Sequence, residues 1–249
     1  MTSPSPMSRS AQISASAGNA AVVFSLFGVV LAYTAVVSPM VGFILLALGL
    51  LNAVVGVLAG IVGLAGTRAS MGVGGRSQAL RGFGLSVLVI LAAIVPASAA
   101  NGLPRINDIT TDFENPPVFI AATELKPNVG RDMAYPGESF ARQQLPGYPD
   151  LGALVVPLAK NEAMDAVVAA IGALERSKII ADDRATGRIE ATQTSLVFHF
   201  VDDVVVRVEE TENGSRINIR SKSRDGKGDL GANAKRIRAI FSAVLASVG

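Results

Sequence analysis

Charge is missing from two long stretches of this chain, and that limits its fold more than any other feature. From Ser10 to Thr67 there is no Asp, Glu, Lys, Arg or His, and from Gly82 to Pro104 there is again none. Soluble domains keep charged side chains on their surface, so runs of this length belong in an apolar solvent. Three apolar segments stand out, at about residues 20–37, 41–65 and 82–100. A helix crossing a bilayer needs about 20 apolar residues, with a range of roughly 17–25, and all three fall near it. Hydrocarbon holds no water to satisfy backbone N–H and C=O groups, so each run is expected to be a helix. Ser38-Pro39-Met40 is a short helix-breaking connection, which makes the first two spans an antiparallel hairpin.

The flanks orient these spans. Arg9 precedes the first, and Arg68, Arg76 and Arg81 lie between the second and third, whereas Ser38–Met40 is uncharged. Lys and Arg beside span ends favour the cytoplasm. The tail at 1–19 and the arginine loop are therefore expected inside. Three crossings then carry the C-terminal part to the periplasmic, outer face of the inner (plasma) membrane. No span contains an ionisable residue, which pumps and coupled transporters generally need. Gly56 and Gly60 have the small-xxx-small spacing that lets helices approach closely. Packing within the bundle is the preferred use of that spacing, and a homo-oligomer contact is the alternative. The third span ends Val95-Pro96-Ala97-Ser98-Ala99-Ala100, whose Ala97 and Ala99 fit the small-x-small pattern of a signal-peptidase site. A retained span is preferred over cleavage near Ala99.

Averages hide this division. Mean hydropathy is +0.44 for the whole chain, yet all 20 acidic residues and 18 of the 22 Lys and Arg follow position 100. The N-terminal part carries +4 and the remainder 18 − 20 = −2. A net-negative domain argues against a general nucleic-acid binder, because phosphate neutralisation needs a basic excess. The absence of Cys excludes thiolate metal sites, disulfides and a Cys nucleophile. His199 is the single histidine and cannot build a multi-His site. Asp108, Asp112, Glu114 and Asp150 lack EF-hand spacing. No metal and no cofactor is expected.

After the spans, residues 101–150 are rich in Pro, Gly, Asn and Asp, with Asn115-Pro116-Pro117, Tyr135-Pro136-Gly137 and Tyr148-Pro149-Asp150 as turn or extended signals. Ile106, Ile109, Phe113, Val118, Phe119, Phe140 and Leu145 make this segment too apolar to be disordered. It reads as an extended arm lying over a domain at 151–249, the two forming one unit. Ala153–Leu158 reads as a strand. A helix capped by Asn161 is expected to run to about Arg176, with Met164, Val167, Val168, Ile171 and Leu174 as its apolar face. Strands follow at 178–181 and 188–200. Asp202-Asp203 is expected to be a turn with solvated charges. Val204, Val206 and Val208 alternate along one strand, and Ile217, Ile219, Ser221 and Ser223 along the next. Asn213-Gly214 between them is a strong hairpin signal. A last helix is expected from about Asp229 to Val248. The fold class is α+β: a three-helix transmembrane anchor, then an antiparallel sheet with two helices on one face. The other face is either solvated or covered by the arm.

The densest polar segment, Ser221 to Ile237, leaves a strand, turns through glycines and enters the last helix. At 100° per residue Asp229, Asn233 and Arg236 form a stripe along the border of the core. Preferred is a polar network locking helix to sheet. The functional alternative is an anion or carbohydrate site at the helix N-terminus, built from Ser221, Ser223, Arg224, Lys227, Asp229, Asn233 and Arg236. Asp229 with Ser221 or Ser223 is also a candidate pair for a hydrolase-like enzyme. Gly226-Lys227-Gly228 lacks the G-x-x-x-x-G-K-[ST] pattern of a nucleotide-binding loop.

Five pieces carry a family resemblance. They are Ile106-Asn107-Asp108-Ile109-Thr110-Thr111-Asp112 with Asn115-Pro116-Pro117; Tyr148-Pro149-Asp150; Gly187-Arg188-Ile189-Glu190-Ala191-Thr192; Phe200-Val201-Asp202-Asp203-Val204; and Arg220-Ser221-Lys222-Ser223-Arg224 through Asp229-Leu230-Gly231-Ala232-Asn233-Ala234-Lys235-Arg236-Ile237. In this order, across about residues 106–240, the chain resembles the bacterial and plastid family catalogued as domain of unknown function 1499. The resemblance implies an exported envelope domain and no particular activity. The expected function is a non-enzymatic binding or scaffold module of the cell envelope, held in the bilayer by its three spans. Its partner would be an envelope protein, a lipid or a glycan. A lipid-handling protein, with a groove between sheet and helices, is a further alternative.

Overall fold

The computed structural model describes residues 6–98 and 101–248. It divides into two compact units, Met1–Ala99 with Leu196–His199, and Ala100–Ser195 with Phe200–Gly249.

In the first unit three helices, α1 (Arg9–Tyr33), α2 (Pro39–Gly66) and α3 (Arg76–Ser98), are each long and apolar enough to cross a membrane. Their ends reach past the apolar runs because caps, not hydropathy, begin a helix. The Ser8 hydroxyl accepts from the Ala11 N–H at 3.3 Å, so α1 starts at Arg9 instead of residue 20. Helix α3 starts at Arg76 instead of Gly82, with the Ala79 N–H bonded to the Gly75 carbonyl. Small residues let the backbones meet: a Cβ added to Gly18 would lie 2.6 Å from the Gly82 carbonyl oxygen. Gly56 faces Ser86 and Gly18, and Gly60 faces Phe83 and Ser14, all within this bundle. The Ser14 hydroxyl donates to the Gly56 carbonyl at 2.9 Å. Met7 pairs with Gly74, so the N-terminal segment and the α2–α3 connection share one end of the bundle. The candidate cleavage residue Ala99 lies outside the described residues.

The second unit runs β1 (Asp108–Thr110), α4 (Ala121–Glu124), α5 (Glu138–Gly147), β2 (Leu154–Val156), α6 (Lys160–Gly172), β3 (Ser177–Asp183), β4 (Arg188–Thr194), β5 (Val201–Thr211), β6 (Gly214–Ser223) and α7 (Ala232–Val248). Its strands form one antiparallel sheet in the order β1-β6-β5-β4-β3. The short β2 also pairs with β6, opposite Ser215–Ile217, while β1 lies opposite Arg220–Lys222. The hairpin forms, with Thr211 opposite Gly214, so Glu212 and Asn213 make its turn. Gly214 has φ 138°, and a side chain there would collide with the Val156 carbonyl of β2.

Alternation along β5 and β6 sorts the two faces. Val204, Val206, Val208, Ile217 and Ile219 point toward α6 and α7. There they bury against Met164, Val167 and Ile171 of α6 and Ile237, Ile240 and Val244 of α7. Each such side chain contributes roughly 1.5–3 kcal/mol by leaving water. The space between sheet and helices is this packed core. The opposite face is covered by the 111–137 segment, whose Phe119, Ala122 and Met133 pack on Val205.

Three expectations need correction. Residues 101–150 are more regular than an extended arm: they supply an edge strand and two helices. Helix α6 starts at Lys160 and ends at Gly172, with no cap from Asn161. The Glu162 carboxylate reaches back to the Ala159 N–H at 3.2 Å and takes that role. Asp202 and Asp203 are strand residues, 8% and 0% exposed, not a solvated turn.

Candidate functional site

Both faces of the sheet carry a buried polar cluster. On the helix side, β6 aims Ser221 and Ser223 at the start of α7. The Ser221 hydroxyl donates to Asn233 Oδ1 at 2.6 Å and accepts from Arg236 Nη1 at 2.7 Å. Asn233 Nδ2 donates to Ser223 Oγ at 2.9 Å. Arg236 Nη2 donates to Asp202 Oδ2 at 2.6 Å, and Arg236 Nε donates to Gln193. Helix α7 begins at Ala232 because Leu230 and Gly231 are left-handed. Asp229 caps it from outside, accepting from the Gly231 N–H at 2.9 Å and the Asn233 N–H at 2.8 Å.

Of the seven sequence-derived candidates, Ser221, Ser223, Asn233 and Arg236 thus meet in one network, and Asp229 orders the turn beside it. Arg224, just past the end of β6, points the other way and pairs with Asp203. Lys227 is exposed in the loop. The carboxylate that interacts with Ser223 is Asp202, its cross-strand partner, not Asp229. Burial raises the Asp202 pKa against the opposing pull of Arg236 and Ser223. Asp202, Ser223 and Arg236 are all at most 8% exposed.

On the arm side three carboxylates organise the surface. Asp108 of β1 receives Arg220 Nε and Nη2, each at 2.8 Å, and Lys222 Nζ at 2.9 Å. Arg220 Nη2 also donates to the Met133 carbonyl at 2.9 Å, and Nη1 reaches the Pro117 carbonyl only at 3.4 Å. Its guanidinium carbon lies 4.9 Å from the Phe119 ring centroid and 5.5 Å from that of Tyr135, within cation–π range. Asp203 receives Arg224 and, at 2.9 Å, Asn128 Nδ2 from the arm. Glu190 accepts three backbone N–H groups at the start of α4: Ile120 at 2.8 Å, Ala121 at 3.0 Å and Ala122 at 2.8 Å. Each carboxylate therefore ties the arm to the sheet, directly or through an arginine.

Between arm and sheet lies a cavity of about 400 Å³. Val118, Phe119, Met133 and Tyr135 form much of its wall, and Arg220 also lines it. A smaller cavity of about 240 Å³ shares Val118 and is lined by Ile120, Arg188 and Arg207. The Tyr135 hydroxyl is buried with no hydrogen-bond partner. Burial, reinforced by Asp108 and opposed by Arg220, pushes its pKa up to about 12. Asn128 Oδ1, Arg188 Nε and Arg207 Nε are likewise buried without a hydrogen bond. Such groups are rare in folded proteins, where a buried polar atom is normally met by protein, water or a bound group. Arg188 Nε and Arg207 Nε lie 3.2 Å from Glu190 and Glu209, so those two guanidiniums already face carboxylates.

The sequence reasoning missed this side. A signal existed: charged or polar residues recur at alternate positions from Arg216 to Arg224, opposite in phase to Ile217 and Ile219. What that pattern did not show is that Phe119, Met133 and Tyr135 would cover them. Among the described residues no group of three or more metal-ligating side chains occurs.

A family model described as a protein of unknown function (DUF1499) matches residues 108–244. That range contains both polar clusters. No curated protein and no solved structure matches the chain.

Proposed function

Taking as premise that the chain belongs to the DUF1499 family, we propose that it is a membrane-anchored cell-envelope protein whose folded domain is a non-enzymatic binding module on the periplasmic, outer face. The arm-side cavity carries this reading. Pockets that hold small molecules are concave and mostly apolar, with a few fixed polar groups. Here aromatic and aliphatic walls surround a buried arginine and an unpartnered phenol.

The anchor and its orientation rest on the first unit. Three helices have the length and composition to cross a bilayer. Arg9, Arg68 and Arg76 belong to the end of the bundle where Met7 meets Gly74, and positive residues favour the cytoplasm. The Thr34–Ser38 connection at the other end is uncharged. Paired C-terminal fusions to alkaline phosphatase and green fluorescent protein test this in a bacterial host. An active phosphatase on a full-length, membrane-bound chain is the expected result. A fluorescent C-terminus overturns the orientation and with it the envelope role.

A further inference from the structure

We propose that the larger arm-side cavity binds a free medium-chain carboxylate, with its carboxylate against Tyr135 and Arg220 and its chain along Val118, Phe119 and Met133. This rests on reading the arm face as a binding surface and adds the class of ligand.

Charge comes first. Arg220 and Lys222 share a single carboxylate, Asp108, so this cluster carries one uncompensated positive charge. Arg224 does not add to it, because Asp203 pairs with it. The neighbouring Arg188 and Arg207 face four carboxylates, Asp183, Glu190, Asp112 and Glu209, so that side carries a negative excess. An anion is therefore favoured beside Arg220 and not in the smaller cavity.

Hydrogen bonding agrees. Arg220 is 1% exposed, and four of its five N–H groups have acceptors only if the 3.4 Å contact from Nη1 to Pro117 is counted. Nη1 is the least engaged donor. The Tyr135 hydroxyl has no partner at all. A tyrosine hydroxyl is protonated, hence a donor, at physiological pH. Two donors, one of them a guanidinium, suit a carboxylate, and charge-assisted bonds are the stronger kind.

The walls decide the rest of the molecule. They are apolar and aromatic, and Val118 at the rim is 62% exposed. A volume of about 400 Å³ lies near the lower end of the roughly 300–1,000 Å³ of small-molecule sites, which suits one medium-length chain and is too small to enclose a two-chain phospholipid.

The test uses the full chain in a non-ionic maltoside detergent with decanoate labelled with carbon-13 at its carboxyl group. A bound resonance, separate from the micellar one, should saturate at one equivalent. Decanol, with the same chain and no charge, and acetate, with the charge and no chain, should fail to displace it at tenfold excess. Tyr135→Phe should weaken binding about tenfold, equal to about 1.4 kcal/mol, with an unchanged melting temperature. Val118→Asp places a carboxylate at an exposed rim position, so the fold should persist while binding is lost. The proposal is overturned by a wild-type chain that melts normally yet shows no saturable resonance. It is equally overturned by displacement with decanol as effective as with unlabelled decanoate, or by either variant binding as wild type. None of these results bears on the reporter fusions, so the envelope reading stands or falls separately.

Discussion

The two faces of the sheet are made from the same strands and divide burial differently: the helix side is mostly apolar with one polar network around Arg236, and the arm side is mostly charged. Toward α6 and α7 the strands present Val and Ile, and stability comes from apolar area removed from water. Toward the arm the same strands present Asp203, Glu190, Arg220 and Lys222, and the cover is held by ion pairs and backbone hydrogen bonds. Loss of one contact is costly on either face: an apolar truncation gives up about 2–5 kcal/mol because its surroundings relax only partly, and removing one partner of a buried ion pair costs about 3–5 kcal/mol because the other charge is left without water or counterion. The difference lies in what the loss leaves behind, a void on the helix side and a stranded charge on the arm side.

This contrast can be broken most directly at Asp108. Asp108→Ala strands Arg220 and Lys222, and an uncompensated buried charge costs about 3–5 kcal/mol. At roughly 2–4 °C per kcal/mol for a domain of this size, the melting temperature should fall by about 10 °C. A fall no greater than a few degrees, followed by circular dichroism on the full chain, would show that the arm side is held otherwise. Glu190→Gln should have the next largest effect, about 1.5–3 kcal/mol, since charged acceptors make the stronger hydrogen bonds. The loss should be local: hydrogen exchange at Ile120, Ala121 and Ala122 accelerates while Ile219 and Ile237 stay protected. Uniform acceleration would mean that the two faces are one cooperative unit.

Alkaline pH sharpens the comparison. With its folded pKa raised to about 12, Tyr135 binds its proton more tightly in the folded state than in the unfolded state. Its contribution is intact below pH 10 and declines as pH rises from 10 toward 12. Denaturant titrations across that window should show falling stability, with a shallower fall in Tyr135→Phe. Identical slopes would place the phenol in a more solvated setting.

The smallest effect is expected at Asp150, whose carboxylate pairs with Arg238 at 2.6 and 2.7 Å on the exposed side of α7. Hydrogen bonding to Arg238 lowers the Asp150 pKa. Its contribution is present above the unfolded value of 3.8 and is lost as pH falls through the lower folded value. The two side chains are 43% and 54% exposed, so solvent screening holds Asp150→Asn below about 1 kcal/mol. A larger loss would mean that the arm's end is tied to the helix face more strongly than its exposure allows.

Much of this architecture was legible beforehand. The uncharged runs located three helices, and alternation at Val204, Val206, Val208, Ile217 and Ile219 located the core face of one antiparallel sheet. The same alternation put Ser221 and Ser223 on the helix side, where Asn233 and Arg236 meet them. Helix ends were less legible. Asn161 resembles a cap, but the Glu162 carboxylate satisfies the Ala159 N–H two residues earlier. Asp202 and Asp203 looked like a solvated turn because their partners, Arg236 and Arg224, are distant or nearly so in sequence.

What the sequence determined by itself was the pattern within each element: where charge is absent, which residues share a face, where a hairpin turns. Those are short-range consequences of backbone geometry, with periods of 3.6 and 2 residues. Only the tertiary structure decided which charge meets which. Asp108 and Arg220 are 112 positions apart, and Glu190 lies 68 to 70 positions from the N–H groups that it receives. No local rule links such residues, because their meeting depends on β1 closing against β6 and on the arm folding back over the sheet.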